Sequence, residues 1–229
     1  MDGSINIRDY DTADTTLSEI DELPFSRSIA RSFRRGDVIA RAGVLADMFA
    51  RVERGFVSAR TTLADGREFI VEIVPKGGLI GELEVLHGQD SNLEYQASSD
   101  CEVHFFEGRL LRDACASDPN FQAKVFSRAL ARVSELELRI VSNAASSLQS
   151  RLASALLRLC AVYGSETPSG PDELTISQQD LAATLPASRE KVNQCLRRLR
   201  ENRIIDGAQG KIHILNRRAL EAYAEGVAC

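Results

Sequence analysis

Between Ser188 and Arg203 the chain carries six basic and two acidic side chains. Arg189, Glu190, Lys191, Asn193, Gln194, Arg197 and Arg198 are interleaved with Val192, Leu196 and Leu199, which recur at helical spacing. An arginine fork matches guanine, an asparagine or glutamine amide matches adenine, and a carboxylate accepts from the cytosine amine. One helix could therefore bury its apolar stripe and turn a base-reading face outward. Ser188 can cap that helix. Just upstream, Ser177 can cap a first helix, with Asp180 closing a capping box and Leu181 and Leu185 supplying its apolar face. Pro186 and Ala187 separate the two, because the residue before a proline is pushed out of the helical region. A scaffold helix, a short turn and a polar, basic helix make the helix-turn-helix pattern. Ser177 and Gln178, at the start of the scaffold helix, then face phosphates, as does Lys211 on a following hairpin.

A net charge of -5 is unexpected for such a function until it is divided along the chain. Residues 1–149 carry 17 basic and 24 acidic side chains, while residues 150–229 carry 11 and 9. The acidic excess is thus confined to the first part, and phosphate affinity follows local potential. A hydrophobic content of 44% and a length of 229 residues suit two modest globular domains. There is no run of about eighteen apolar residues. The acidic, polar start lacks the features of a signal peptide, so a cytoplasmic protein without a membrane partner is expected. Five scattered cysteines without a CxxC pair read as thiols in a reducing compartment.

The elements that must carry these residues fall in order along the chain. Residues 1–23 read as an arm. From about Phe25 to Phe106 short apolar runs alternate with glycines, and Asp65-Gly66 signals a hairpin, so an antiparallel sandwich or barrel is expected. Ser117-Asp118-Pro119 starts a helix. Phe126, Ala129, Val133, Leu136 and Ile140 then step by threes and fours, with Asn143 continuing the spacing, as in a coiled-coil seam between two copies of the chain. A second helix runs from about Ser150 to Tyr163, and Gly164 to Asp172 reads as a loop. After the helix-turn-helix, Ile204 to Leu215 forms a small hairpin, or wing, and Arg217 to Ala224 a closing helix.

Strand-rich domain, dimer helix and winged helix-turn-helix, in that order, resemble the cyclic-AMP receptor and fumarate–nitrate regulator superfamily of bacterial transcription factors. The words that carry the resemblance are Phe33-Arg34-Arg35-Gly36-Asp37-Val38-Ile39, Leu63-Ala64-Asp65-Gly66-Arg67-Glu68, Gly81-Glu82-Leu83 and Ser188-Arg189-Glu190-Lys191-Val192-Asn193. It implies an α+β chain. An N-terminal antiparallel β-roll of the jelly-roll, cyclic-nucleotide-binding-like kind spans 24–116, a dimerisation helix 117–148 and a winged helix-turn-helix domain 149–229. Its implied partners are double-stranded DNA, a second copy of the chain and RNA polymerase. It also implies that Ser188, Arg189 and Glu190 contact DNA, with Gln194 where an arginine is usual.

The resemblance places a nucleotide's sugar on Gly81 and Glu82, its phosphate on Ser91 and Asn92, and its base on Leu136 and Glu137. No arginine lies between Arg67 and Arg109 to hold a buried phosphate, and Glu94 would oppose it. Gly81 and Glu82 are then expected to serve as turn structure, in a regulator that ordinary cyclic AMP does not control. Gating by another small ligand is the alternative, as is redox control through Cys195, whose neighbours Arg197 and Arg198 could favour the thiolate. No cofactor is expected. An iron–sulfur sensor would need cysteines before Cys101, and a metal oxygenase would need more than His87 and His104 in its strand-rich domain.

Overall fold

The computed structural model describes residues 28–43, 47–163, 173–185, 187–207 and 210–226, apart from the side chain of residue 145. The expected N-terminal arm, the 164–172 loop, Pro186 and Cys229 lie outside the described residues.

Eight strands form the N-terminal domain: β1 (Ile29–Phe33), β2 (Val38–Ala40), β3 (Met48–Arg54), β4 (Val57–Thr62), β5 (Glu68–Val74), β6 (Leu79–Ile80), β7 (Glu94–Ala97) and β8 (Cys101–Glu107). They pair as two antiparallel four-stranded sheets, β1-β8-β3-β6 and β2-β7-β4-β5. Strand alternation turns Ala50, Val52, Val103 and Phe105 of one sheet toward Val57, Ala59, Tyr95 and Ala97 of the other. The first sheet is covered on its second face as well. There Phe49 stacks on Phe106 at 5.2 Å, beneath α1 (Glu82–His87), α2 (Gly108–Ser117) and the start of α3 (Pro119–Ala145). Burial on both faces explains why Val103 to Phe106 reads as a nearly continuous apolar run. The expected hairpin joins β4 to β5, with Gly66 at φ 81° and the Asp65 carboxylate accepting from the Arg67 N–H at 3.1 Å.

Asp118 caps α3 through the Asn120 N–H at 2.8 Å, and Pro119 fills the first turn. Two boundaries differ from the sequence reading. Helical structure begins earlier than Ser117, in a separate α2 that opens at Gly108. The long helix α3 stops at Ala145, before the expected limit of 148. Ser146 is extended, and the Ser147 hydroxyl accepts from the Ser150 N–H at 3.2 Å to start α4 (Leu148–Tyr163).

The C-terminal domain packs α4, α5 (Gln178–Ala183), α6 (Arg189–Glu201) and α7 (Arg217–Ala224) around Leu156, Leu159, Leu181, Val192, Leu196 and Leu199. The wing has one strand more than the hairpin expected. β9 (Glu173–Thr175) joins β10 (Ile205–Asp206) and β11 (Lys211–Ile214) in the order β10-β11-β9.

Candidate nucleic-acid interface

The reading head is built from two capped helices. At α5 the Ser177 hydroxyl accepts from the Asp180 N–H at 2.9 Å and donates to the Asp180 carboxylate at 2.7 Å. At α6 the Ser188 hydroxyl accepts from the Lys191 N–H at 3.5 Å. Val192, Leu196 and Leu199 are buried against α4 and α5, which fixes the rotation of α6 about its axis. That rotation leaves Arg189, Glu190, Lys191, Gln194, Arg197 and Arg198 exposed on the outside of the domain. The Glu190 carboxyl is held below its ordinary range by its own backbone N–H and the Ser188 hydroxyl, more than by Arg189. It is therefore a charged acceptor at neutral pH, as contact with a cytosine amine requires.

Four predicted contacts sit differently from the sequence reading. Asn193 is half-buried, and its Oδ1 is buried without a hydrogen-bond partner, because position 193 falls on the flank of the helix beside Val192. Ser177 spends its hydroxyl on Asp180, and Gln178 is half-buried. Lys211 is exposed on β11, but its ammonium lies 3.3 Å from the buried Glu173 of β9. That pairing is not legible in the sequence, because β9 itself is not.

The second candidate site lies where α3 crosses the β-roll. Gly81, at φ 80°, caps α1 and so has the turn role expected of it. Glu82 has a further role. It is buried and accepts from the Arg132 guanidinium of α3 at 3.4 Å, while Arg132 also meets Glu72 of β5 at 2.6 Å. Arg128, one turn earlier, brings a second guanidinium into the same field. Glu82 Oε2 and Arg128 Nη1 are both buried without hydrogen-bond partners. Ser91 is linked to this point through Tyr95, whose hydroxyl it hydrogen-bonds and whose phenol lies in the field of Glu82 and Arg132. Ser91 is buried, with its hydroxyl on the Leu93 N–H at 3.1 Å. Asn92 lines an outer groove of about 390 Å³ with Arg41, Arg60, Thr62 and Glu94. Leu136 is half-buried and Glu137 exposed on α3.

Residues 150–223 match the Crp-like helix-turn-helix domain, and residues 30–118 match the cyclic nucleotide-binding domain. Transcriptional regulator SdrP of Thermus thermophilus is 31% identical over 205 residues, which span 85% of this chain and 93% of that one. The chain belongs to the Crp/Fnr family. The global nitrogen regulator of Synechococcus elongatus is 28% identical over 191 residues, covering 82% and 86% of the two chains. Among solved structures, a Crp/Fnr-family regulator from Thermus thermophilus superposes with a TM-score of 0.71 at 26% identity, over 86% of this chain and 98% of that one. FixK2 from Bradyrhizobium japonicum shares the fold, with a TM-score of 0.74 at 20% identity over 86% and 96% of the chains. This is a Crp/Fnr transcription regulator with a helix-turn-helix DNA-binding domain.

Within this Crp/Fnr chain the buried carboxyls of the pocket are expected to make stability depend on pH. Burial raises Glu82 to about 7, although Arg132 and then Arg128 pull the other way, and burial pushes Glu72 in the same direction. An acid whose proton is held more tightly in the folded state stabilises the fold at low pH. That contribution is lost as pH rises from 4.5, its ordinary value, through about 7. Glu82→Gln is expected to flatten this decline when melting temperatures are compared across about pH 4.5 to 8. A slope equal to that of the unaltered protein would contradict the assignment. Elsewhere, Cys195 is buried in α6, and burial raises its thiol more than Arg198 lowers it. That opposes the redox alternative. Among the described residues no group of three or more His, Cys, Asp or Glu could hold a metal ion. No helix among them is long and apolar enough to cross a membrane.

Proposed function

We propose that the chain acts in the cytoplasm as a homodimer on a palindromic double-stranded DNA site, without enzymatic activity and without cyclic AMP as its trigger. The observation that carries this is the paired character of the surface. A basic reading face stands on α6, and α3 presents an outward apolar stripe for a second copy. Phe126, Leu130, Val133 and Ile140 are each more than half exposed in the single chain, on a helix anchored to its own β-roll domain by the buried Phe121 and Val125 of its first turns. Ala129, Leu136 and Asn143, the remaining seam positions, are half-buried along the same helix. Twofold symmetry through that stripe sets two reading heads about 34 Å apart, one helical turn of DNA. Arg189 then reads guanine, Glu190 cytosine and Gln194 adenine. Lys191, Arg197 and Lys211 serve phosphates with Gln178 and the backbone at Ser177, whose hydroxyl is committed to Asp180, and Ser188 and Asn193 set the edges of the contact. RNA polymerase is the further partner of such a regulator.

Independence from cyclic AMP rests on the ion pairs between α3 and the β-roll. Arg132 pairs with both Glu72 and Glu82, with Arg128 beside them, where a ligand would join the two elements. The phosphate positions are the uncharged Ser91 and Asn92, and Arg60, which lines the groove beside Asn92, is engaged with Ser58, Glu68 and Asp180. Selection of binding sites from random DNA is expected to return one palindrome without any effector, and the same palindrome at the same affinity with cyclic AMP added. A strict requirement for cyclic AMP would overturn this part of the proposal.

A further inference from the structure

The reading head does not hang from α4 alone. It is docked on its own β-roll through two kinds of contact. Phe56, in the turn between β3 and β4, packs on Tyr163 at the end of α4, with ring centroids 4.0 Å apart. Phe56 thereby belongs to the hydrophobic core of the C-terminal domain, and Ile73 of β5 packs against the same core. Beside this apolar contact lies a charged one. Asp180 of the scaffold helix receives the Arg60 guanidinium of β4 at 3.3 Å and the Arg35 guanidinium, from the turn after β1, at 3.4 Å. Arg60 is buried and held in place beforehand. It donates twice to the Ser58 hydroxyl, at 3.1 and 2.7 Å, and lies 3.5 Å from Glu68. Glu68 in turn accepts from Gln179, the neighbour of Asp180, at 3.5 Å.

Asp180 is therefore shared. The carboxylate that completes the α5 capping box is also the point at which two arginines of another domain hold that helix. A capping box needs only an acceptor near the N-cap. It does not need a buried arginine from a strand 120 residues away in sequence. The aromatic contact supplies a non-directional pivot, and the guanidinium geometry supplies direction about it.

From this we infer that Arg35, Arg60 and Asp180 are positioning residues for DNA recognition. They set the angle at which each subunit presents α6, and hence the separation of half-sites the dimer accepts. The inference rests on the proposed palindromic dimer. None of the three touches a base in this role. Their effect falls on spacing and not on which base is chosen.

The test uses the full chain and the palindrome obtained by selection, together with duplexes carrying one base pair inserted or removed at its centre. The unaltered protein is expected to prefer the selected spacing strongly. Arg60→Ala is expected to reduce that preference about tenfold, the scale of one lost close charge pair, while base preference within each half-site is retained. Arg35→Ala, on the more exposed partner, and Asp180→Asn, which keeps a capping acceptor, should act in the same direction. They carry the test if the buried Arg60 variant does not fold. Folded variants with an undiminished spacing preference would refute the inference while leaving the dimer intact. An unaltered protein indifferent to spacing would instead remove the palindromic reading on which the inference stands.

Discussion

Ile140→Glu is expected to leave the chain folded and monomeric and to weaken operator binding by at least about 100-fold, the scale on which bivalent attachment exceeds its single contacts. Ile140 is 67% exposed in the single chain, so a glutamate there has little to disturb within the subunit. Across a twofold axis the same position meets, or closely neighbours, its own copy. Two carboxylates would then be desolvated against each other in an otherwise apolar seam, which is costly unless each finds a cation. Sedimentation at micromolar concentration separates the outcomes, and an unchanged melting temperature should accompany dissociation. A variant that sediments as the unaltered protein does would show that α3 does not carry the interface.

Arg189→Ala is the second large effect. Arg189 opens α6, is exposed, and sits beside Ser188, whose hydroxyl holds the helix start. A bidentate arginine–guanine contact is worth roughly 1–3 kcal/mol, so selected sites should weaken by about 5- to 150-fold. The loss should concentrate at one base pair of each half-site, where substitution of guanine no longer matters. Lys191→Ala differs in kind, because a phosphate contact weakens all sequences together and reduces the salt slope by about one. Equal loss on selected and random duplexes at fixed salt would place Arg189 on a phosphate instead.

Much of this molecule can be read from local chemistry. Ser177 with Asp180, Asp118 with Pro119, and Asp65-Gly66 each specify a cap or turn within four residues, and each forms as its sequence indicates. The period of Val192, Leu196 and Leu199 fixes the outward face of α6, although the edge of that face falls one helical position away from where spacing alone puts it, at Asn193. What escapes is non-local. β9 has only three residues and exists because Glu173 to Thr175 finds β11 across the whole helix-turn-helix. The arginines that meet Glu82 come from a helix about fifty positions on, so a search of the β-roll alone finds none. Asp180 reads as a cap and nothing more, since its second partner lies on β4. Gly108 opens α2 where a Cβ would be tightly placed, 3.0 Å from the Asp47 carbonyl and from Val85, neighbours that the local sequence does not reveal.

The interruption at Ser146 and Ser147 makes α4 a lever with its fulcrum at the end of the dimer helix. Sixteen residues at about 1.5 Å each give an arm of about 24 Å, so a swing of about 10° at the fulcrum carries the far end through about 4 Å. That is more than one base-pair step of a duplex. The Ser146 N–H donates to the Ser142 carbonyl, Ser147 caps α4, and Arg158 of α4 lies 3.9 Å from Glu135 of α3, so short-range contacts tie the two helices at the joint. In the proposed dimer, play left at that joint is taken up at the far end of the arm, where Tyr163 meets Phe56 and Asp180 meets Arg60.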